Sequence, residues 1–227
     1  VIVIGSQAIL GQHPDAPPEA LRSVEADLIP VQHPERWGLI DGVIGEGSPF
    51  HETFGYYADG VEERTAVLPA GWKDRLVPVR TENTRGVTGH CLEVYDLLIS
   101  RYVAGREKDL EFTAAVARGG LARREVLLTR LAETGLDARR AALVAGRIRR
   151  DFPAGETGPG GAGPWGDPSR RAPYSRSADP DFLVDVAGAR ERPREARLLV
   201  VDERERALAI VDVVRDNLPV PRVLAPA

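Results

Sequence analysis

Val1 to Ile4 form an uninterrupted apolar run that stops at Gly5, the pattern of a short central strand buried on both faces. Residues 6 to 11 have the length for one short helical segment, and the proline-rich QHPDAPPEA cannot prolong it. In the next segment Val24, Ala26 and Leu28 alternate with Glu25 and Asp27, so a half-buried strand with an acidic face is expected. Between Gly38 and Arg80 the alternation in GYYADGVEERTAVLP and DRLVPVR predicts further strands on short connections, antiparallel to the second.

From Glu93 the period changes. Val94, Leu97, Leu98 and Tyr102 follow a helical stripe, and a second helix is predicted from about Arg106 to Arg118, stopped by Gly119-Gly120. Two more helices follow, ARREVLLTRLAET closing at Gly135 as its C′ residue, and DARRAALVAGRIRRDF capped by Asp137. The fold class predicted is α/β of the α+β type, with a mixed sheet over residues 1–92 and a helical region over 93–152. PAGETGPGGAGPWGDPSRRAPYSRSADP has too little apolar surface to offset the entropy of ordering, so residues 153–197 are expected to be a disordered Gly/Pro/Arg-rich linker. Residues 198–227 predict a short strand and one amphipathic helix, with Ala207, Val211, Val214 and Leu218 on its stripe.

Composition narrows the class. A hydrophobic content of 43% over 227 residues supports a real core. No run of 18 apolar residues and no secretory leader is present, so no membrane association is expected and the cytoplasm is the expected compartment. The chain has no methionine and starts inside a strand pattern, so an upstream segment is expected. A single cysteine, Cys91, excludes an internal disulfide and a multi-cysteine zinc site. With a net charge of −4, any nucleic-acid contact must use a local patch. Residues 118–150, with nine arginines against Glu125, Glu133 and Asp137, are the candidate, although an arginine-rich helix pair is the simpler reading.

Glu25 and Asp27, two apart on a strand, place their carboxylates on one side with Cα atoms roughly 6.5–7 Å apart. Such charges repel unless a cation intervenes, and a hard divalent ion such as Mg²⁺ would bridge them and take phosphate oxygens in its other positions. An isolated E-x-D also describes the solvated face of an edge strand. Gly5 lets the backbone approach a ligand, and Ser6 with successive N–H groups can donate to phosphate oxygens. Neither a G-x-x-x-x-G-K-[ST] loop nor a G-x-G-x-x-G fingerprint is present. In ISRYVAGREKDLEF, Arg101 and Lys108 are seven apart, with Asp109 beside them. On a continuous helix they share one face, and Gly105 is the residue that would interrupt it. Lys73 and Lys108 are the only lysines among 30 basic residues. His51-Glu52 lacks the second histidine of H-E-x-x-H, and His90-Cys91 lacks a third partner. Trp37, Trp72, Tyr56 and Tyr57 read as core or interface residues.

Together VIVIGSQAIL, VEADL and DLLISRYVAGREKDLEF resemble the DNA polymerase β-like nucleotidyltransferase superfamily, and within it the AbiEii-related abortive-infection and MenT-type toxin group. The resemblance covers roughly residues 1–150 and implies a nucleotidyltransferase palm over 1–92 whose site is completed by 93–152. It implies that Gly5, Ser6, Arg101 and Arg106 bind an NTP and that Glu25 and Asp27 hold Mg²⁺, with a two-metal site allowed. Asp109 is implied as third acid, with Lys108 on phosphate, and Glu62 or Glu63 competes with Asp109 because many members carry that acid on a strand. Glu25 stands where Asp is common, and Arg101 where the toxin group often has lysine. The implied reaction transfers NMP to tRNA, another RNA or another macromolecule, in a toxin controlled by a cognate antitoxin. The alternative is a catalytically degenerate relative that binds nucleotide or protein.

Overall fold

The computed structural model describes residues 1–80 and 87–153, together with the backbone of 196–201 and 207–213. Strands β1 (Ile2–Val3), β2 (Glu25–Ile29), β3 (Tyr57–Gly60), β4 (Val77–Val79) and β5 (Gly89–Cys91) form one sheet in the order β3-β2-β1-β5-β4. The central β1 is antiparallel to β2 and parallel to β5, and β4 is antiparallel to β5. Its apolar run needs cover on both faces, and Ile2, Val3 and Ile4 are all buried. Gly5 leads into a 3-10 helix over Ser6–Gly11, the short helical segment expected there. In β2, Ala26 and Leu28 enter the core, whereas Val24 precedes the strand and is exposed.

The predicted antiparallel pairing after β2 is wrong: β3 runs parallel to β2. Parallel neighbours need a long crossover, and here it contains two helices absent from the prediction, α1 (Trp37–Ile44) and α2 (Pro49–Phe54). Gly38 and Gly42 hide α1, since each glycine weakens a helix by about 1 kcal/mol relative to alanine. The start of α2 was readable, because Ser48 caps the backbone N–H of His51 and Pro49 occupies its first turn.

The helical region contains α3 (Val94–Ala104), α4 (Glu107–Arg118), α5 (Arg124–Ala132) and α6 (Ala138–Asp151). Val94, Leu97, Leu98 and Tyr102 are buried as their stripe requires, as are Phe112 and Val116 on α4, Leu127 and Leu131 on α5, and Val144 and Ile148 on α6. Gly105, at φ 64°, separates α3 from α4, so Arg101 and Lys108 do not share a continuous helix. Asp137 accepts from the Arg140 N–H and caps α6. Gly135, at φ 65°, lies beyond the α5 cap Glu133 and turns the chain toward α6. The fully buried Asp96 ties α3 to its neighbours, accepting two hydrogen bonds from Arg75 at 2.8 and 3.0 Å and pairing with Arg130 at 3.4 Å.

Among the described residues no helix is long and apolar enough to cross a membrane. The linker expected at 153–197 lies outside the described residues, apart from Pro153 and the start of β6 (Ala196–Val201). β6 pairs antiparallel with β7 (Ala207–Val213), which corrects the helix expected from Ala207. A short apolar run such as ALAIVDV satisfies helical and strand periods alike, and its β-branched residues favour the strand. Val214 and Leu218 lie outside the described residues.

Gly60 ends β3 where the backbone of α1 crosses it, so a Cβ there would run into the Trp37 carbonyl. Gly60→Ala is expected to lower stability by about 1–3 kcal/mol through overpacking, read from urea unfolding midpoints.

Candidate functional site

The parallel register pairs Glu25 with Tyr57 and Asp27 with Asp59. Because side chains alternate along strands, Glu25, Asp27, Tyr57 and Asp59 share one face of β2 and β3. The end of β1 meets that face: the Ile4 N–H donates to the Asp27 carbonyl at 3.0 Å. The backbone of Gly5 passes so close to the Asp27 carboxylate that a Cβ would collide with it. This close approach is the reason for a glycine after the apolar run. Ser6 follows, and with Glu25, Asp27, Arg101, Lys108 and Asp109 it lines a cavity of about 670 Å³, within the range of small-molecule sites.

The opposite wall is cationic. Arg101, on α3, is 12% exposed and lies 3.8 Å from Asp27 through Nη2, while its Nη1 donates to Asp109 Oδ1 at 2.8 Å. Lys108 Nζ lies 3.8 Å from Glu25 Oε2, and its side chain is 64% exposed. Asp109 is fully buried at the start of α4, where Arg106 Nε donates to its Oδ2 at 2.7 Å and the Arg106 backbone N–H at 3.2 Å. Burial alone would raise the Asp109 pKa, but the hydrogen bonds and charges of Arg106 and Arg101 outweigh it and hold the carboxyl below its ordinary range.

The sheet acids behave oppositely. Burial is the main cause that pushes Glu25 up, followed by the Asp27 charge, and Lys108 and Arg101 offset it only in part. Burial likewise raises Asp27 against the pull of Arg101, with Asp59 adding repulsion. Asp59 is raised by burial, by Asp41 and by Glu25. Burial and the surrounding carboxylates push the Tyr57 hydroxyl to about 12. The site therefore has a cationic helical wall and an acidic sheet wall.

Gly5, Ser6, Glu25, Asp27, Arg101, Arg106, Lys108 and Asp109 are all brought to this one cavity or its rim. Glu62 and Glu63 are not: they lie beyond β3, where Glu62 pairs with Arg64, and Glu63 with Lys73 at 2.7 Å. A strand acid not singled out in the sequence is Asp59, which neighbours Asp27 on the sheet face but does not line the cavity. Its signal was Tyr57-Ala58-Asp59-Gly60, one acid framed by small or apolar neighbours, of which Ala58 and Gly60 are buried. Both Asp109 oxygens are already engaged by arginines, the arrangement of a support for guanidinium groups and not of an open ligand.

Glu25 and Asp27 are the residues that could hold a divalent metal, with Asp59 beside them. Among the described residues no group of three or more His, Cys, Asp or Glu is arranged to hold a metal ion. The pair nevertheless fits Mg²⁺, which usually takes one or two carboxylates and completes its shell with water and substrate phosphates. Burial raises both carboxyls despite Arg101 and Lys108, and a divalent ion bound between them would favour their charged forms.

Residues 1–117 match the family model described as "Nucleotidyltransferase of unknown function (DUF6036)". The match spans all five sheet strands, α3 and all of α4 but its last residue. No curated protein and no solved structure matches the chain.

A carboxyl raised in the folded state contributes stability below its unfolded value of 3.8, and that contribution is lost as pH rises through the folded value. At pH 7 Asp27→Asn is therefore expected to raise the melting temperature of the nucleotide-free protein. The gain should fade toward pH 4, as melts at a series of pH values will show.

Proposed function

The chain belongs to this nucleotidyltransferase family, and from that premise we propose that it moves NMP from an NTP to a hydroxyl of an RNA acceptor with Mg²⁺. The observation that carries the reading is the shared face of Glu25 and Asp27, opposed by Arg101, Arg106 and Lys108 across a cavity edged by Gly5-Ser6, with Asp59 next to Asp27 outside the cavity lining.

In this reading Ser6 donates to the triphosphate, and Arg101, Arg106 and Lys108 neutralise its oxygens. Asp109 is a positioning residue that holds the two guanidinium groups. Asp59, with its raised pKa, takes the proton of the acceptor hydroxyl as the new oxygen–phosphorus bond forms and pyrophosphate leaves in line. A metal held by Glu25 and Asp27 supplies charge stabilisation to the transferring phosphoryl group.

The resemblance to AbiEii- and MenT-type toxins makes tRNA or another RNA the acceptor and a cognate antitoxin the protein partner. The acceptor finds support on exposed Arg118, Arg139, Arg140 and Arg149, which have no carboxylate partner among the described residues. Their guanidinium groups suit a phosphodiester backbone. Exposed Leu39 and Val43 on α1 and Phe54 on α2 offer apolar surface to a protein partner.

The test is incubation with each labelled NTP, Mg²⁺ and total RNA or lysate. Asp27→Ala and Asp59→Asn should each cut label transfer at least about 10²-fold, while Glu62→Gln and Glu63→Gln should stay within about twofold of wild type, as expected of substitutions away from the site. Transfer that survives Asp27→Ala overturns the assignment. Absence of transfer from the wild type to any acceptor overturns the enzyme reading in favour of a nucleotide-binding module.

A further inference from the structure

The acidic face of β2 and β3 is countered by two cations of different kinds. Lys108 reaches Glu25 from a largely exposed position and has a flexible stem, so it can leave for another anion. Arg101 cannot. Its guanidinium is bonded to Asp109 at 2.8 Å, stands 6.0 Å from the Phe112 ring, and is nearly excluded from water. Withdrawing it would leave the buried Asp109 carboxylate short of a partner, which is costly. The same anchored group stands 3.8 Å from Asp27.

We propose that Arg101 is a permanent internal counter-ion to Asp27, which makes the acids a poor site for a bare divalent cation and couples metal binding to nucleotide binding. This rests on the reading of Glu25 and Asp27 as the metal-holding pair and of the cavity as the NTP site. A divalent ion arriving alone meets a fixed positive charge within ion-pair distance of one of its two carboxylates, and rotation of the arginine cannot relieve that repulsion. A bound triphosphate would change the balance, because its anionic oxygens would pair with the guanidinium and offer a metal at Glu25 and Asp27 further ligands. Lys108 leaves Glu25 for the same phosphates and imposes no lasting penalty. By linkage, the factor by which nucleotide tightens metal equals the factor by which metal tightens nucleotide.

The measurement is Mn²⁺ binding by electron paramagnetic resonance on the full chain, with and without α,β-methylene analogues of ATP, CTP, GTP and UTP in turn. Analogue binding with and without Mn²⁺ supplies the converse. Wild type should show a coupling factor of about tenfold or more, equal in both directions. Arg101→Gln combined with Asp109→Asn leaves no unpaired charge at position 109, and should bind Mn²⁺ more tightly without nucleotide while the coupling factor falls severalfold. Arg101→Lys should retain most of the coupling, and Glu63→Gln, outside the cavity, should stay within about twofold of wild type. Wild-type Mn²⁺ affinity that is indifferent to every analogue overturns the proposal, as does undiminished coupling in the folded double variant. If the double variant does not fold, the wild-type and Arg101→Lys measurements still decide. Label transfer is read separately, so a protein that transfers label yet shows no coupling loses this inference alone.

Discussion

Carboxylates brought to one side of two neighbouring strands repel one another, and much of the surrounding structure answers that repulsion. β2 and β3 run in parallel register, so Asp27 and Asp59 are lateral neighbours and Glu25 follows on the same side. Water would screen them on an open edge, but the cavity withdraws Glu25 and Asp27 from it, and burial dominates the shift of both. The compensating charges must come from elsewhere in the chain. α3 and α4 deliver them, and the left-handed Gly105 between the helices sets the angle at which Arg101 and Lys108 reach two different acids.

Holding an arginine in a nearly dry position requires a buried acid behind it, which is the part played by Asp109. α3 is tied in this manner near both of its ends. Close to its C-terminus Arg101 meets Asp109, and close to its N-terminus the fully buried Asp96 meets Arg75 and Arg130. Glu93 caps the same helix through the Tyr95 and Asp96 N–H groups, and burial with the nearby Asp96 charge raises it to about 7. Paired charges in low dielectric add little net stability but fix geometry well, and a helix that must present one guanidinium at one distance uses that property.

The parts of this arrangement visible in the sequence depend on local pattern. Val1 to Ile4 ending at Gly5, the alternation around Glu25 and Asp27, and the stripes of α3 to α6 are set by neighbours within a few residues, and each lies where the pattern puts it. What escaped depends on distant parts of the chain. Asp59 becomes a neighbour of Asp27 only through the parallel register of β2 and β3, which requires the crossover through α1, where Gly38 and Gly42 mask the helix. The more conspicuous Glu62 and Glu63 pair with Arg64 and Lys73 outside the cavity. The surroundings of Asp109 were unreadable for the same reason, since Arg101 approaches it across the break at Gly105.

Beyond the stretch matched to the family, α6 packs Val144 and Ile148 into the common core. Arg147 donates to the Tyr102 carbonyl at 2.6 Å, and the Tyr102 hydroxyl lies 3.0 Å from Asp151. The Arg147 guanidinium also fills the space that a side chain at position 105 would need. Inheritance of chemistry and inheritance of rigidity are thus divided between two lengths of chain. The first 117 residues carry every acid and cation of the pocket, while the joint that aims Arg101 is clasped from behind by a helix outside the matched residues. A change confined to that clasp would present the same residues at a different reach without altering a single group that lines the pocket.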